Sequence, residues 1–494
     1  MPNSARPKAW FSPEKILWVL AAFAFLFWVF GLPLLWNRLV CPFQVNQGEA
    51  INVEFGRILT RGGNLYFNPS EGPYLYPAYP PLFPLLVSRL STFLQPPFLA
   101  PRLLAFAGYL ACGFLFAAWG FGRWGKPWAA VLLFLFWVSP TWQAWGSMAR
   151  MDSFLLAVHF SAFLLLYQME AGKKTQAWRL VAAGLLTAAA LSLKQSALTL
   201  PAAYGLSCLF QGRFRPLGLF LTAALLPTLC VFGALQAASH GWFFFWVFHS
   251  LPLGFHGSQL FYFLKTSFVP EMGWAVLAVL ATLLARRVSP LLKCQLLFSS
   301  LMVLALGREG SAENYCLEFW LYALFTLGES WAVEPAGRNS EKPAAWAYWG
   351  MTGLFLLGFT GLLTRPLPRT VSQEEMQMKA SVLPIYRLPG EHLAMDGDLP
   401  LMAGKKLWIM PMEYNAMVKN GKLDPAPLLR DIQSQRFTTI ELYDLPRQPL
   451  FPEFLTQAVE KDYKVGLKAY GRVWYVPRQF VGPLLPSPGR PQTN

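Results

Sequence analysis

The sequence predicts a mostly α-helical fold, a polytopic transmembrane helical bundle followed by a small α/β domain. Of the 494 residues, 54% are hydrophobic and 14% are charged, against about 25% charged residues in ordinary soluble proteins. Apolar stretches long enough to cross a bilayer recur up to about residue 363. The 20 Trp, 41 Phe and 17 Tyr residues suit the aromatic belts at membrane interfaces. This composition excludes disordered, collagen-like and disulfide-rich scaffolds.

About eleven stretches have the length and apolarity of a membrane-spanning helix. The first follows basic residues, as a signal peptide would, but it has no small-residue cleavage site and many further spans follow it. We therefore expect it to be retained as a helix. The predicted spans are 16–36, 102–122, 127–146, 153–169, 180–194, 196–211, 216–238, 266–285, 291–307, 315–333 and 344–363.

The distribution of Lys and Arg predicts the orientation. The loops on the N-terminal side of the membrane are short and rich in basic residues, whereas the opposite loops carry fewer over much more sequence. The positive-inside rule then predicts a protein of the inner or plasma membrane whose N-terminus is cytoplasmic. An odd number of spans places the C-terminal domain outside the cytoplasm. One span more or fewer would reverse the C-terminal side. The net charge of +15 is thus explained without a nucleic acid partner.

Three regions follow from the change in composition along the chain. Residues 1–363 form the transmembrane domain, with a long first outer loop at 37–101 whose proline-rich part is too short to cross the bilayer. Residues 364–481 have shorter apolar runs and more charge, which is typical of a small α/β domain. Residues 482–494 are rich in Pro and Gly and are expected to be disordered.

Within the α/β domain the residue patterns predict strands and helices of ordinary length. The last two strands are expected to turn at Tyr470-Gly471. The predicted strands are Lys405–Met410, Thr438–Tyr443 and Lys464–Pro477, and the predicted helices are Leu428–Arg436 and Pro452–Tyr463.

The six cysteines contain no CxxC pair, and the histidines lack the spacing of metal ligands. The sequence therefore identifies no cofactor. A divalent metal is possible through Glu49 and Asp152 but is not indicated by the pattern.

Ionisable residues collect where the predicted spans meet the outer face. A charge at membrane depth is costly, so such residues at span ends favour a functional interpretation. Their order along the chain gives a set of short motifs. These are Gln47-Gly48-Glu49-Ala50, Gly56-Arg57-Ile58-Leu59, Gly63-Asn64-Leu65-Tyr66, Tyr79-Pro80-Pro81-Leu82, Ala149-Arg150-Met151-Asp152, Leu193-Lys194-Gln195 and Glu313-Asn314-Tyr315 with Glu318.

The order of these motifs over roughly residues 16–320 resembles the GT-C membrane glycosyltransferases that use polyprenyl-phosphate sugars. It is similar in particular to the protein-mannosyltransferase-like and aminoarabinose-transferase-like enzymes of glycosyltransferase family 39. The resemblance implies a GT-C fold, an outward-facing active site and a catalytic carboxylate in the first loop. It also implies a second acid and basic residues that hold the lipid phosphate. Two departures stand out, because Gly48 precedes Glu49 where the mannosyltransferases have Asp-Glu, and Tyr79 stands where the aminoarabinose transferases have Lys.

The chemistry of sugar transfer assigns expected roles to these residues. The acceptor hydroxyl needs a base, and the leaving phosphate needs cations. Glu49 is the expected base and Asp152 an auxiliary acid. The expected phosphate contacts are Arg57, Arg150, Lys194 and Arg308, and the candidate substrate contacts are Tyr79, Glu313, Asn314 and Tyr315.

Alternative interpretations remain open at this stage. Arg150 and Asp152 could be an interfacial ion pair, Lys194 could extend to the interface, and Glu313 with its neighbours could cap a helix. A transporter or flippase of lipid-linked sugars would use the same basic cluster without chemistry, and a membrane scaffold would use the C-terminal domain to bind a partner. The expected partners are the lipid bilayer, a polyprenyl-phosphate sugar and a lipid, glycan or protein acceptor.

Overall fold

The computed structural model describes residues 13–171, 176–250, 254–285, 288–331, 353, 356–358, 360–362, 367–445 and 451–485. The part up to residue 331 is built from helices. They are α1 (Pro13–Val40), α2 (Glu49–Thr60), α3 (Leu82–Ser91), α4 (Leu99–Arg123), α5 (Lys126–Val138), α6 (Pro140–Gly146), α7 (Asp152–Ala171), α8 (Ala177–Leu191), α9 (Thr199–Phe210), α10 (Phe214–Ala238), α11 (Trp242–Phe244), α12 (Gly257–Phe263), α13 (Val269–Ala285), α14 (Pro290–Val303) and α15 (Leu317–Trp331).

Six helical runs of the described residues are long and apolar enough to cross a membrane, namely α1, α4, α7, α10, the continuous run of α12 and α13, and α14. The predicted multi-pass helical bundle is thereby confirmed. Every predicted span from 16–36 to 315–333 falls on a helix or a pair of helices. The last predicted span, 344–363, lies largely outside the described residues.

One predicted span is interrupted in the structure. The stretch predicted as a single helix at 127–146 is divided into α5 and α6 at Ser139 and Pro140. Proline has no N–H and is favoured in the first turn of a helix. The Ser139 hydroxyl accepts a hydrogen bond from the Trp142 amide at 3.2 Å, which caps α6. The first outer loop holds α2 and α3, and α3, at 10 residues, is too short to span a bilayer, as predicted.

The C-terminal domain is a four-stranded sheet with helices. Its helices are α16 (Gln373–Arg387), α17 (Asp398–Met402), α18 (Pro411–Lys419), α19 (Ala426–Gln433) and α20 (Glu453–Asp462), and its strands are β1 (Glu391–Leu393), β2 (Phe437–Tyr443), β3 (Tyr463–Ala469) and β4 (Arg472–Pro477). The sheet order is β1-β2-β4-β3, with β1 parallel to β2 and the other pairs antiparallel.

The strand predictions for β2, β3 and β4 and the helix predictions for α19 and α20 are confirmed. The strand predicted at Lys405–Met410 is wrong. Only an isolated bridge from Ile409 to Tyr74 of the first outer loop forms there. The segment 405–410 has the residue pattern of a strand, but it hydrogen-bonds to the first loop and not to the sheet. Of the predicted disordered tail, residues 486–494 lie outside the described residues.

The first outer loop and the C-terminal domain share one hydrophobic core. The Tyr74 amide donates to the Trp408 carbonyl at 2.7 Å, and the Met410 amide donates to the Tyr74 carbonyl at 3.1 Å. The rings of Tyr74 and Tyr414 meet edge to face with centroids 5.3 Å apart. Tyr66 of the loop and Trp246 after α11 complete the same core. The C-terminal domain therefore packs directly against the first loop.

Candidate active site

Glu49 lies at the start of α2 in a fully buried ion pair with Arg102 of α4. The Arg102 guanidinium donates from Nε to Oε1 at 3.0 Å and from Nη2 to Oε2 at 2.8 Å. The amides of Val45 and Ala149 add one bond each, both at 2.6 Å. Burial alone raises the pKa of Glu49, but Arg102 and the two amides outweigh it and the net shift is downward.

This geometry does not favour the prediction that Glu49 is the base. Both of its oxygens are taken by donors, and none of its surface is exposed. Arg102 also donates to the carbonyl of Phe43 at 2.7 Å, so the pair clamps the chain between α1 and α2. Because Glu49 also accepts from the Ala149 amide, the clamp holds the segment that leads to Asp152.

The backbone conformation at residue 48 explains why a glycine precedes Glu49. Its φ of +84° is readily adopted only by glycine. A Cβ at this position would also collide with the guanidinium of Arg150. Arg150 donates from Nη2 to the Gln47 carbonyl at 2.9 Å, and its buried Nε has no hydrogen-bond partner among the described residues. Arg150 therefore occupies the space beside α2 that another residue at position 48 would fill.

Asp152 and Lys194 form a second buried ion pair. Lys194 Nζ donates to Asp152 Oδ1 at 2.7 Å, and Asn314 Nδ2 donates to the same oxygen at 2.8 Å. Asp152 begins α7, Lys194 follows α8, and Asn314 precedes α15. Both bonds end at Oδ1, so Oδ2 has no hydrogen-bond partner among the described residues. It is the one oxygen of the two ion pairs that can accept a new proton.

The rings of Tyr79 and Tyr315 flank the ammonium of Lys194, which lies 5.3 Å and 5.0 Å from their centroids. The face of each tyrosine ring attracts a cation at this position. Tyr79 is fixed in turn, since its carbonyl accepts from the Tyr66 hydroxyl at 2.8 Å. Where the aminoarabinose transferases resembled above carry Lys, this chain therefore places an aromatic ring against a lysine from another loop. The structure thus brings together Tyr79, Asp152, Lys194, Asn314 and Tyr315.

A small cleft opens beside this group, with about 20 Å³ of free space. Asp152, Lys194 and Tyr315 line it together with Glu318 of α15. Glu318 accepts a hydrogen bond from Gln295 of α14 at 2.7 Å. The cleft therefore places a second carboxyl group close to the Asp152–Lys194 pair.

The remaining predicted site residues lie elsewhere. Arg57 donates to the carbonyls of Leu401 and Lys405 at 3.3 Å and of Gly404 at 3.1 Å, all in the C-terminal domain. Through these bonds Arg57 links the first loop to the C-terminal domain. It lines a separate cavity of about 700 Å³ with Arg61, which is within the size range of ligand sites.

Arg308 and Glu313 lie in the loop before α15. Arg308 is exposed at the end of the helical turn after α14, and its carbonyl accepts from Gln259 at 2.7 Å. Glu313 accepts from the Ser267 hydroxyl at 3.2 Å. Arg308 is close enough to Tyr76 of the first loop to interact with it electrostatically, so it belongs to the rim of the site.

The C-terminal domain reaches the site through two carboxylates. Asp398 is buried, binds Lys379 at 2.7 Å and accepts from the Gln44 amide at 3.3 Å, next to the chain that Arg102 clamps. Glu413 in the first turn of α18 interacts electrostatically with Arg150, and burial raises its pKa. The domain therefore supports the first loop and closes one side of the site.

Sequence reasoning missed Arg102 and Glu413 as parts of this region. Arg102 is a charge at the outer end of a predicted span, which was a usable signal. Glu413 gave none, since it is one acid among many in the C-terminal domain. Among the described residues, no three His, Cys, Asp or Glu side chains group as metal ligands.

Fold comparison places the chain among membrane proteins of the GT-C architecture, as the motif order predicted. It is similar to ArnT from Cupriavidus metallidurans bound to undecaprenyl phosphate, with a TM-score of 0.62 and 15% identity over 96% of this chain and all of that one. It is similar to the same protein in the apo state, with a TM-score of 0.61 and 15% identity over 92% and 97% of the two chains.

A third similar structure is the oligosaccharyltransferase AglB from Archaeoglobus fulgidus in complex with an inhibitory peptide and a dolichol-phosphate. Its TM-score is 0.51 at 12% identity, covering 96% of this chain and 75% of that one. No protein-family model matches the chain, and no curated protein matches it. The likeness is thus one of fold.

Proposed function

We propose that this protein is an integral membrane glycosyltransferase. It transfers one hexosyl or pentosyl group from a polyprenyl-phosphate donor to a lipid, glycan or protein acceptor. The transfer takes place on the outer face of a bacterial-type inner membrane. The single observation that carries this proposal is the Asp152–Lys194 pair, a buried carboxylate and cation with one free carboxylate oxygen at the membrane-side cleft.

The fold supports a lipid-linked donor. One similar structure holds undecaprenyl phosphate and another holds dolichol phosphate. Lys194 supplies the cation for the donor phosphate, with Arg150 and Arg308 at its rim. Leu155 of α7 and Met302 of α14 give the cleft an apolar side next to Lys194.

The residues then divide the chemistry. The acceptor oxygen bonds to the anomeric carbon of the sugar while the bond from that carbon to the phosphate oxygen breaks, and its electron pair leaves with the phosphate. Asp152 takes the acceptor proton on Oδ2, because Oδ1 is held by Lys194 and Asn314. Lys194 stabilises the charge that grows on the phosphate. Glu49 is a positioning residue that holds the segment before Asp152.

The transporter alternative fits less well. Transporter sites lie near the bilayer midplane between paired broken helices. Here Asp152 is the first residue of α7. The opposite end of α7 is marked by Tyr167, whose hydroxyl donates to Glu329 near the end of α15. The charged centre therefore sits at one end of the bundle.

The test uses purified protein in detergent with radiolabelled polyprenyl-phosphate hexoses and pentoses and a crude membrane acceptor. Wild type is expected to move sugar off the lipid, and Asp152→Asn to lower kcat by about 10²- to 10⁴-fold with donor binding kept. Asp431→Asn, which breaks an exposed pair with Arg436, is the matched control and should leave turnover unchanged. Donor binding without turnover in wild type would favour the transporter.

A further inference from the structure

Glu318 differs from Asp152 in its surroundings, although both line the same cleft. Asp152 has the ammonium of Lys194 at 2.7 Å. For Glu318, the described residues offer no Lys or Arg within 4 Å, and its nearest basic group is the Nε2 atom of His159 at 3.9 Å. That imidazole is buried between the hydroxyls of Thr199 and Tyr322, each at 3.0 Å.

Burial without a cation determines the protonation state of Glu318. Its side chain is 9% exposed, and an ionised carboxylate in such a place costs several kcal/mol unless a positive charge compensates it. The two hydroxyls around His159 carry no negative charge that would favour a protonated imidazole. Glu318 is therefore held as the neutral acid, while Asp152 is held as the carboxylate. Two neighbouring carboxyl groups that are held in opposite protonation states suit the roles of a general acid and a general base.

The cleft connects the two groups. Its free space of about 20 Å³ is enough for one water molecule. Ser196, Asn314 and Tyr315 contribute polar groups to its lining. A proton can pass between two side chains through one water.

We propose that Glu318 is the general acid of the reaction. This inference rests on the proposed function and adds the second half of its proton transfer. When the bond between the anomeric carbon and the phosphate oxygen breaks, Glu318 gives its proton to that oxygen as the oxygen takes the electron pair. Asp152 holds the proton of the acceptor hydroxyl and returns it to Glu318 through the cleft. One proton thus moves from the hydroxyl to the lipid phosphate, and both carboxyl groups return to their starting states.

Each group that faces Glu318 has a place in this scheme. From α7 come Asp152 and His159, and from the loop after α8 comes Lys194. Tyr315 lines the cleft, and Gln295 of α14 donates to Glu318 Oε1 at 2.7 Å. The Thr199 side chain of α9 also hydrogen-bonds the Glu318 carboxyl group, and Tyr322, one turn further along α15, interacts with it electrostatically.

The experiment measures kcat against pH for the full-length protein with a turned-over donor. In wild type, rate is expected to fall at alkaline pH, where Glu318 loses its proton. Glu318→Gln is expected to lower kcat by about 10²-fold or more and to remove this alkaline limb. Glu318→Asp keeps an acid and should retain the limb at a reduced rate. Glu271→Gln is the matched control, since Glu271 is equally buried in α13 but bonds Thr141 at 2.6 Å, away from the cleft.

The outcomes separate the two proposals. If wild type turns over no donor, the proposed function fails. If wild type turns over donor without an alkaline limb, the role of Glu318 as the acid is overturned, whatever the variants do. The role is also overturned if Glu318→Gln stays within about threefold of wild type, or if it slows turnover as Glu271→Gln does with the pH profile unchanged. Should Glu318→Gln not fold, the wild-type profile and Glu318→Asp decide.

Discussion

The two buried ion pairs Glu49–Arg102 and Asp152–Lys194 differ in how many donors reach each carboxylate oxygen. The first is completely buried, and four donors occupy both carboxylate oxygens. The second has both donors on one oxygen, and its side chains are 10% and 6% exposed at a cleft. A carboxylate with every lone pair engaged holds the backbone, whereas one with a free oxygen beside a cleft can accept a proton. The burial of an acid therefore says less about its role than the number of its free oxygens.

The pairs are also connected. Glu49 accepts from the amide of Ala149, and Arg150 donates to the carbonyl of Gln47. The structural pair thus fixes the chain that presents Asp152. Four predictions test this division of roles, beginning with the largest expected effect.

Glu49→Gln is expected to lower the free energy of unfolding by about 3 to 5 kcal/mol, because it leaves Arg102 charged and buried without its partner. Thermal unfolding followed by Trp fluorescence in detergent measures this loss. Glu309→Gln, at an exposed position, is the control. If Glu49→Gln keeps its stability and loses turnover as Asp152→Asn does, Glu49 is the base and the comparison is reversed.

Lys194→Gln is expected to weaken donor binding about tenfold or more, because the phosphate loses its cation, and also to destabilise the fold by leaving Asp152 unpaired. The double variant Asp152→Asn/Lys194→Gln should recover stability, since neither charge remains. It should not recover donor binding, which equilibrium binding of the labelled donor measures. Recovery of both would mean that Lys194 serves the fold alone.

Gly48→Ala is expected to cost about 1 to 2 kcal/mol from its positive φ and to displace Arg150. Gly62→Ala separates these effects, because Gly62 also has a positive φ of +74° but no atom lies near its Cβ position. Both variants should lose similar stability, while only Gly48→Ala should raise the KM for donor. Equal KM values in the two variants would remove Arg150 from the site.

Glu54→Gln should change the pH dependence of stability in a predictable direction. Burial raises the pKa of Glu54 from 4.5 to about 7, with Arg57 opposing the shift. Between these values the native protein keeps a proton that the unfolded chain has lost, so stability falls as pH rises through this window. Glu54→Gln should abolish that fall and stabilise the protein by on the order of 2 kcal/mol at pH 8. Unchanged melting temperatures from pH 5 to 8 in wild type would contradict it.

Much of the site was accessible from the sequence because the motifs carry local signals. Asp152, Lys194, Asn314, Tyr79 and Tyr315 were all selected from charges and polar residues at span ends, and the structure brings them together. These residues come from four separate segments, but each lies where a helix meets the outer face. Helix ends on one side of a bundle converge, so sidedness alone placed them near one another.

Other contacts could not be predicted from the sequence because they depend on distant partners. Arg57 has the same local pattern as Lys194, yet carbonyls of the C-terminal domain engage it. The segment 405–410 has the pattern of a strand, yet it pairs with Tyr74 of the first loop. In both cases the deciding partner lies more than 300 positions away along the chain, where spacing within a motif gives no information.

The sequence by itself determined the membrane-spanning helices, the small α/β domain and the group of residues around Lys194, because apolar length, residue alternation and charge at helix ends act locally. Only the tertiary structure decided which acid has donors on both oxygens and which has donors on one. Glu49 and Asp152 are both carboxylates in outer motifs, and nothing in their neighbours along the chain separates them. Arg102 and two amides fill the oxygens of one, while Lys194 and Asn314 share a single oxygen of the other. The number of donors that folding brings to each carboxylate is a property of packing.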